Sequence, residues 1–350
     1  MKNLLFVCPT QYGYNTDFYK YCECLSDKFN VYYVGIKLNN KRSFESKRVN
    51  VVEVEHDKYI CGILTLFITS FKLSRKIKFK RVIIYYTLFC SLFLFLFGRS
   101  RAIVDIRTAY IGNSRKVCLQ NKFLRIETNL FKIITVISEG VADFLKLNHK
   151  KCHILPLGAD AGICASKSHC KKLLYIGTFN DRNIDITIKA VDEYIERSEN
   201  RAIEYFIIGC GSSKEVENIE KNIKLCKNAS QIHYEGEKRG DELRPYFEMC
   251  NVGIAYVPLR DYYDKQPPTK TYEYLLNSMA VIATPTTENK KVVSELNGVV
   301  LDGEDEESFI KGLTYINSYM FDTRKIYEDN LKYSWDLLTD KYLLPIIENC

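Results

Sequence analysis

The stretch Pro267–Pro285 reads PPTKTYEYLLNSMAVIATP. Two prolines fix an extended loop, and Thr269 or Thr271 can cap the helix that follows. That helix carries Lys270 near its first turn and Glu273 three residues on. It gives way to a short apolar strand, Ala280–Thr284, closed by Pro285. A helix followed at once by a buried strand is half of a βαβ repeat and predicts an α/β fold. A cation and a carboxylate at a loop-to-helix junction suit a ligand that carries both phosphate and sugar hydroxyls. Lysine and helix N–H groups favour phosphate, and an ionised glutamate accepts from a diol.

The same alternation runs through the chain. Leu4–Cys8, Val31–Ile36, Val49–Val54, Val82–Tyr86, Ala102–Asp105 and Ile133–Ile137 read as strands separated by helical stretches. Gly162–Lys172 is small, polar and aperiodic and reads as a linker. The pattern then restarts with Leu173–Ile176, Ile203–Ile208, Ile232–Tyr234, Val252–Tyr256 and Val281–Ala283. Short, continuous apolar strands between helices predict mainly parallel, doubly wound sheets. A chain of 350 residues accommodates two such domains. The expected boundaries are 1–160 and 161–322, with 323–350 crossing back to the first domain. Ligands are expected beyond the carboxyl ends of the strands and in the cleft between domains.

The net charge of +7 conceals an asymmetry. Residues 1–160 hold 26 Lys and Arg against 12 Asp and Glu, and residues 161–350 hold 24 against 31. A basic half seeks polyanions. Without zinc-finger spacing or an RNP-like string, nucleic acid is not the expected partner. An anionic membrane surface is, with docking through Lys72–Lys80 that salt reverses. Val82–Gly98, bracketed by Arg81 and Arg99, is read as a buried strand plus an apolar helix rather than a membrane span. Thirteen irregularly spaced cysteines predict reduced thiols in a cytoplasmic protein, peripheral at the inner face of the plasma membrane.

The stretch 267–285 resembles the nucleotide-sugar signature of retaining GT-B glycosyltransferases of family 4 (group 1). Further segments resemble that family in order: LGAD at 157–160, LYIGTFNDRNIDITIKA at 174–190, IIGCGS at 207–212, and the run from Tyr234 through Pro258. The resemblance implies a GT-B fold of two Rossmann-like domains. It implies a nucleotide diphosphate sugar as donor, a saccharide or lipid-linked saccharide as acceptor, no cofactor and no obligatory metal. Arg182, Lys270 and Glu273 would hold the donor, with Thr269 and Thr271 beside them and Gly177, Gly209, Gly211, Glu237 and Lys238 at neighbouring strand ends. In the first domain, Tyr12 and Gly13 would face the diphosphate, and Asp105 stands in a motif similar to H-D-x-R.

This sequence departs from the family at three places. Thr178 replaces one of two cations, Lys265 the first glutamate of E-x7-E, and Val104 the histidine. A nucleotide-sugar epimerase or hydrolase, or a non-catalytic sugar- or lipid-binding subunit, are the alternatives.

Overall fold

The computed structural model describes residues 1–37, 44–56, 59–110, 112, 114–165, 167, 171–198 and 202–349, without the side chains of Tyr59 and Ile60. Part of the expected linker, residues 166 and 168–170, lies outside the described residues. The chain forms two compact units, Met1–Leu157 with Trp335–Cys350, and Gly158–Ser334.

The first unit contains β1 (Asn3–Val7), β2 (Asn30–Lys37), β3 (Asn50–Glu55), β4 (Phe79–Tyr85), β5 (Ala102–Ile106), β6 (Ile133–Val136) and β7 (Cys152–Ile154). Their order across the sheet is β3-β2-β1-β4-β5-β6-β7, all parallel. The second unit contains β8 (Lys172–Thr178), β9 (Glu204–Cys210), β10 (Ile232–Tyr234), β11 (Val252–Ala255), β12 (Ala280–Ala283) and β13 (Gly298–Val300). Their order is β10-β9-β8-β11-β12-β13, again parallel. Both sheets reverse strand order once, between β1 and β4 and between β8 and β11. Loops leaving the two strands at such a point diverge and open a crevice.

The apolar runs follow from burial on both faces. Leu4 to Val7, Val82 to Ile84 and Val281 to Ala283 are all essentially inaccessible. Val82–Gly98 resolves into part of β4 and two short helical turns, Cys90–Leu92 and Phe93–Phe97. Among the described residues no helix is long and apolar enough to cross a membrane.

The C-terminal return starts later than expected. Helix Thr323–Asn330 stays with the second unit, where the Thr323 hydroxyl donates to Ala165 O at 2.9 Å. Tyr333 stacks edge-on against Tyr272 at 5.0 Å. The two crossings lie side by side, since Ala159 N–H donates to Tyr333 O at 3.1 Å. From Trp335 onward the chain packs on the first unit, with the indole edge-on to Tyr21 at 5.7 Å.

Gly177 pairs with Gly209 in the β8–β9 register. A Cβ on Gly209 would lie 1.9 Å from the Gly177 carbonyl oxygen, with no flexible atom to yield. Gly209→Ala should therefore destabilise the second unit by about 1–3 kcal/mol or more. Thermal unfolding measures this, and an unchanged melting temperature would show that the strands do not need to approach so closely.

Candidate donor site and the first-unit cluster

The second unit's crevice is built from two loops. The β8 loop turns at Phe179–Asn183, where Asp181 and Asn183 both take left-handed backbone conformations (φ 51°) on either side of Arg182. Asp and Asn are among the residues that enter this region most readily. The β11 loop runs from Tyr256 to Pro268 and is pinned at three places. Asp264 accepts from the amide and hydroxyl of Thr287, both at 2.7 Å. Val257 N–H donates to the Thr284 hydroxyl at 3.0 Å, and Glu304 accepts from the Leu259 amide.

The two loops meet through a pair of tyrosines. Tyr262 donates to the Asp181 carboxylate at 2.7 Å. The Arg182 guanidinium lies over the Tyr263 ring, 4.0 Å from its centre. Stacking holds the cation without neutralising it. Its Nη1 is buried and has no hydrogen-bond partner among the described residues. A buried guanidinium nitrogen without an acceptor is an unmet demand that an anionic ligand satisfies. A cavity of about 240 Å³ beside this loop is lined by Phe179, Arg182, Asn183, Lys214 and Asn218 among others.

Helix Thr269–Leu275 follows. Neither threonine caps it. Pro268 occupies the cap position without a side-chain bond. Thr271 is buried and donates to Asn289 Oδ1 at 3.0 Å, so it anchors the helix and does not face a ligand. Thr269 is half-buried at the first helical position. Lys270 Nζ and Glu273 Oε2 form an ion pair at 2.7 Å, each side chain partly exposed. The pair is one turn of helix in register, and each partner neutralises the other when no ligand is present.

The glycine-rich turn after β9 is explained by packing. A Cβ on Gly211 would meet the Glu215 carboxylate at 2.8 Å. That carboxylate accepts from the Ser212 amide at 2.7 Å and from its hydroxyl at 2.9 Å, closing a capping box on helix Ser213–Leu225. A carboxylate of the chain itself thus fills the turn. Glu237 and Lys238 stand at the end of edge strand β10. Glu237 accepts from Arg239 Nε at 2.7 Å, and Lys238 lies over Tyr246, 5.6 Å from the ring centre. The structure joins Arg182 to the β11 loop, and Lys270 to Glu273, and leaves Glu237 and Lys238 two strands away from β8.

In the first unit two expectations are corrected. Tyr12 is fully buried. Its hydroxyl donates to Glu23 at 2.6 Å, and its backbone N–H donates to Glu53 at 2.7 Å, so that amide is not free for a diphosphate. Gly13 has φ 85°, and a Cβ there would strike the Phe44 ring at 2.2 Å. Asp105 is wholly inaccessible. It accepts from the Thr135 hydroxyl at 2.5 Å and lies 3.8 Å from Arg107, which bonds Asp17 at 2.6 Å. Asp105 cannot touch an acceptor. A cavity at this end of β4 and β5, about 130 Å³, is lined by Tyr85, Tyr86, Tyr110 and Arg107 instead.

Residues 170–317 match the model of the family described as Glycosyl transferases group 1. No curated protein matches the chain in sequence. Among solved structures it is similar to a glycosyltransferase from Rickettsia africae ESF-5, at 13% identity over 100% of this chain and 99% of that one, with TM-score 0.74. It is similar to WaaG, a glycosyltransferase involved in lipopolysaccharide biosynthesis, at 13% identity over 99% and 100%, with TM-score 0.70. Anabaena HepE, in complex with UDP and glucose, superposes at 10% identity over 100% of both chains, with TM-score 0.73. The chain has the GT-B fold of these structures, and the match to the group 1 family model, within the second unit, supports a transferase. Its second unit carries the group 1 domain.

Burial pushes the Asp105 carboxyl up to about 6, against the opposing pull of Arg107 and Thr135. The folded state therefore holds this proton more tightly than the unfolded one. That contribution to stability is complete below about pH 4 and is lost as pH rises through 6. Asp105→Asn should remove the loss, so the variant should gain in melting temperature over the wild type between pH 4 and 7 while keeping its activity. Abolished activity in a folded variant would restore a chemical role for Asp105.

Proposed function

We propose that the chain is a retaining glycosyltransferase. It moves a sugar from a nucleotide diphosphate sugar to a lipid-linked saccharide, in the synthesis of a cell-envelope polysaccharide or glycan. The observation that carries the donor half is Arg182, stacked on Tyr263 with a buried, unpartnered Nη1, in a loop bonded to the one that leads into Lys270 and Glu273. Relatives of the same fold include HepE with UDP and glucose. The acceptor class follows the likeness to WaaG and the basic first half. The work is done at the cytoplasmic face of an anionic membrane.

Departure of the nucleoside diphosphate develops negative charge on phosphate oxygens. Arg182 donates to it in a fixed orientation, and Lys270 adds a second cation. Donor binding draws Lys270 toward phosphate and frees Glu273 to accept from the ribose hydroxyls. We assign no step to a metal ion. Thr269, half-buried at the first helical position, adjoins Lys270.

Nucleotide release from candidate donors, with and without saccharide acceptors, tests this reading. Release only with acceptor supports transfer, and release without it indicates a hydrolase or epimerase. Arg182→Ala should lower turnover by roughly 10²–10³-fold with little change in melting temperature. Glu273→Gln should weaken donor binding by about 1–3 kcal/mol, read as a smaller thermal shift with donor. Normal turnover and donor affinity in both variants would remove the assignment.

A further inference from the structure

Helix Tyr59–Lys76 is amphipathic in the wrong sense for a free-standing surface. Leu64, Ile68 and Phe71 are exposed at helical spacing. The next residue of that stripe is Arg75, whose guanidinium lies over the Phe71 ring at 5.8 Å. Helix Arg115–Thr128 repeats the arrangement. Leu119, Phe123, Ile126 and, just beyond its end, Leu130 are exposed, with Arg115 and Lys122 on the same face.

The apolar turns of Cys90–Leu92 and Phe93–Phe97 join the two helices. Phe67 meets Phe93 edge-on at 5.7 Å, and Phe89 meets Phe123 at 6.1 Å. The Glu127 carboxylate clamps the join by accepting from the amides of Phe89 and Ser91 at 3.1 and 2.9 Å. Phe95 projects from it, 86% exposed. An apolar patch of this extent on a soluble surface marks a binding site.

Charge selects the occupant. Between Tyr59 and Ser138 there are fourteen Lys and Arg, of which only Arg81 and Arg107 are buried. The same span holds two acids, Asp105 and Glu127, and both are buried. No carboxylate of this span therefore faces solvent. A second copy docking face to face would bring cation against cation.

We propose that this face of the first unit is a bilayer-insertion surface, with Phe95 and the two helical stripes entering the headgroup boundary and the surrounding Lys and Arg binding anionic lipid. It rests on the membrane reading above and names the surface responsible. Its consequence differs from a purely electrostatic dock: buried apolar area persists when salt screens the charges, so release by salt is incomplete.

The full chain is sedimented with vesicles of equal parts phosphatidylglycerol and phosphatidylcholine, and with phosphatidylcholine alone. Wild type should bind the anionic vesicles and retain part of that binding at high salt. Phe95→Ser combined with Leu119→Ser should weaken binding on the order of tenfold or more and abolish the salt-resistant fraction. Both positions are exposed, and thermal unfolding confirms the fold. Phe95→Trp should shift its emission to the blue with anionic vesicles, against a constant background from buried Trp335. Sedimentation with an unshifted Phe95→Trp spectrum would keep the membrane reading and overturn this face. Absence of sedimentation at any salt would overturn both. A dimer in analytical ultracentrifugation that the serine variant dissociates would assign the face to a second copy and overturn the proposal.

Discussion

The amide of Ile176 donates to the hydroxyl of Tyr274 at 2.9 Å, inside the core of the second unit. The bond exists because β8 and β11 pair only at their first residues, Leu173 with Val252 and Leu174 with Gly253. Beyond that the strands part, and the β8 amide has no strand partner on that side. A buried amide must be satisfied. Tyr274 does so from helix Thr269–Leu275 and so fixes that helix over the gap. Gly253 makes room, since a Cβ there would lie 2.1 Å from the Tyr274 ring. The divergence that opens the crevice thus also positions the segment bearing Lys270 and Glu273.

A second tie works at the crevice's outer edge. Tyr262 and Tyr263 engage Asp181 and Arg182, and Asp264 accepts from Thr287 at the first position of the helix Thr287–Val292. The family's first glutamate would follow directly, where Lys265 stands. With Asp264 committed to Thr287, the loop's nearest carboxylate is already used. Orientation of Arg182 therefore depends on aromatic stacking, and the loop lacks a carboxylate at position 265, where the family pattern has one.

The α/β class and both doubly wound sheets were legible because parallel strands buried on two faces must be continuously apolar. Arg182, Lys270 and Glu273 were singled out through motif order, and the structure sets Arg182 in a loop joined through Asp181 and Tyr262 to the one that leads into Lys270 and Glu273. The tyrosine pair was visible as DYYD but undistinguished, because its role lies in contacts to a loop some eighty residues earlier. Asp105 was misread for the same reason. A D-x-R string looks identical whether it faces solvent or is sealed by Thr135 from the next strand and Asp17 from a distant helix. Tyr12 failed differently: its backbone amide was taken by Glu53, and no local pattern encodes that bond.

Two acids of the basic first unit, Asp105 and Glu127, are sealed inside it. Glu127 is buried, with its pKa raised by desolvation, and offsets that burden with bonds to Phe89 and Ser91. Asp105 is buried beside Arg107 and Thr135. Each buried carboxylate carries a desolvation penalty that an exposed one avoids. Stability alone would put both in water. Glu127 inside holds the apolar join in place, and no acid between Tyr59 and Ser138 is exposed. Phe95, Leu119 and Ile126, exposed beside Arg115 and Lys122, run against the same preference. A buried Glu127 beneath exposed Phe95, Leu119 and Ile126 is a pair of opposite departures from folding stability, and the proposed bilayer surface would account for both.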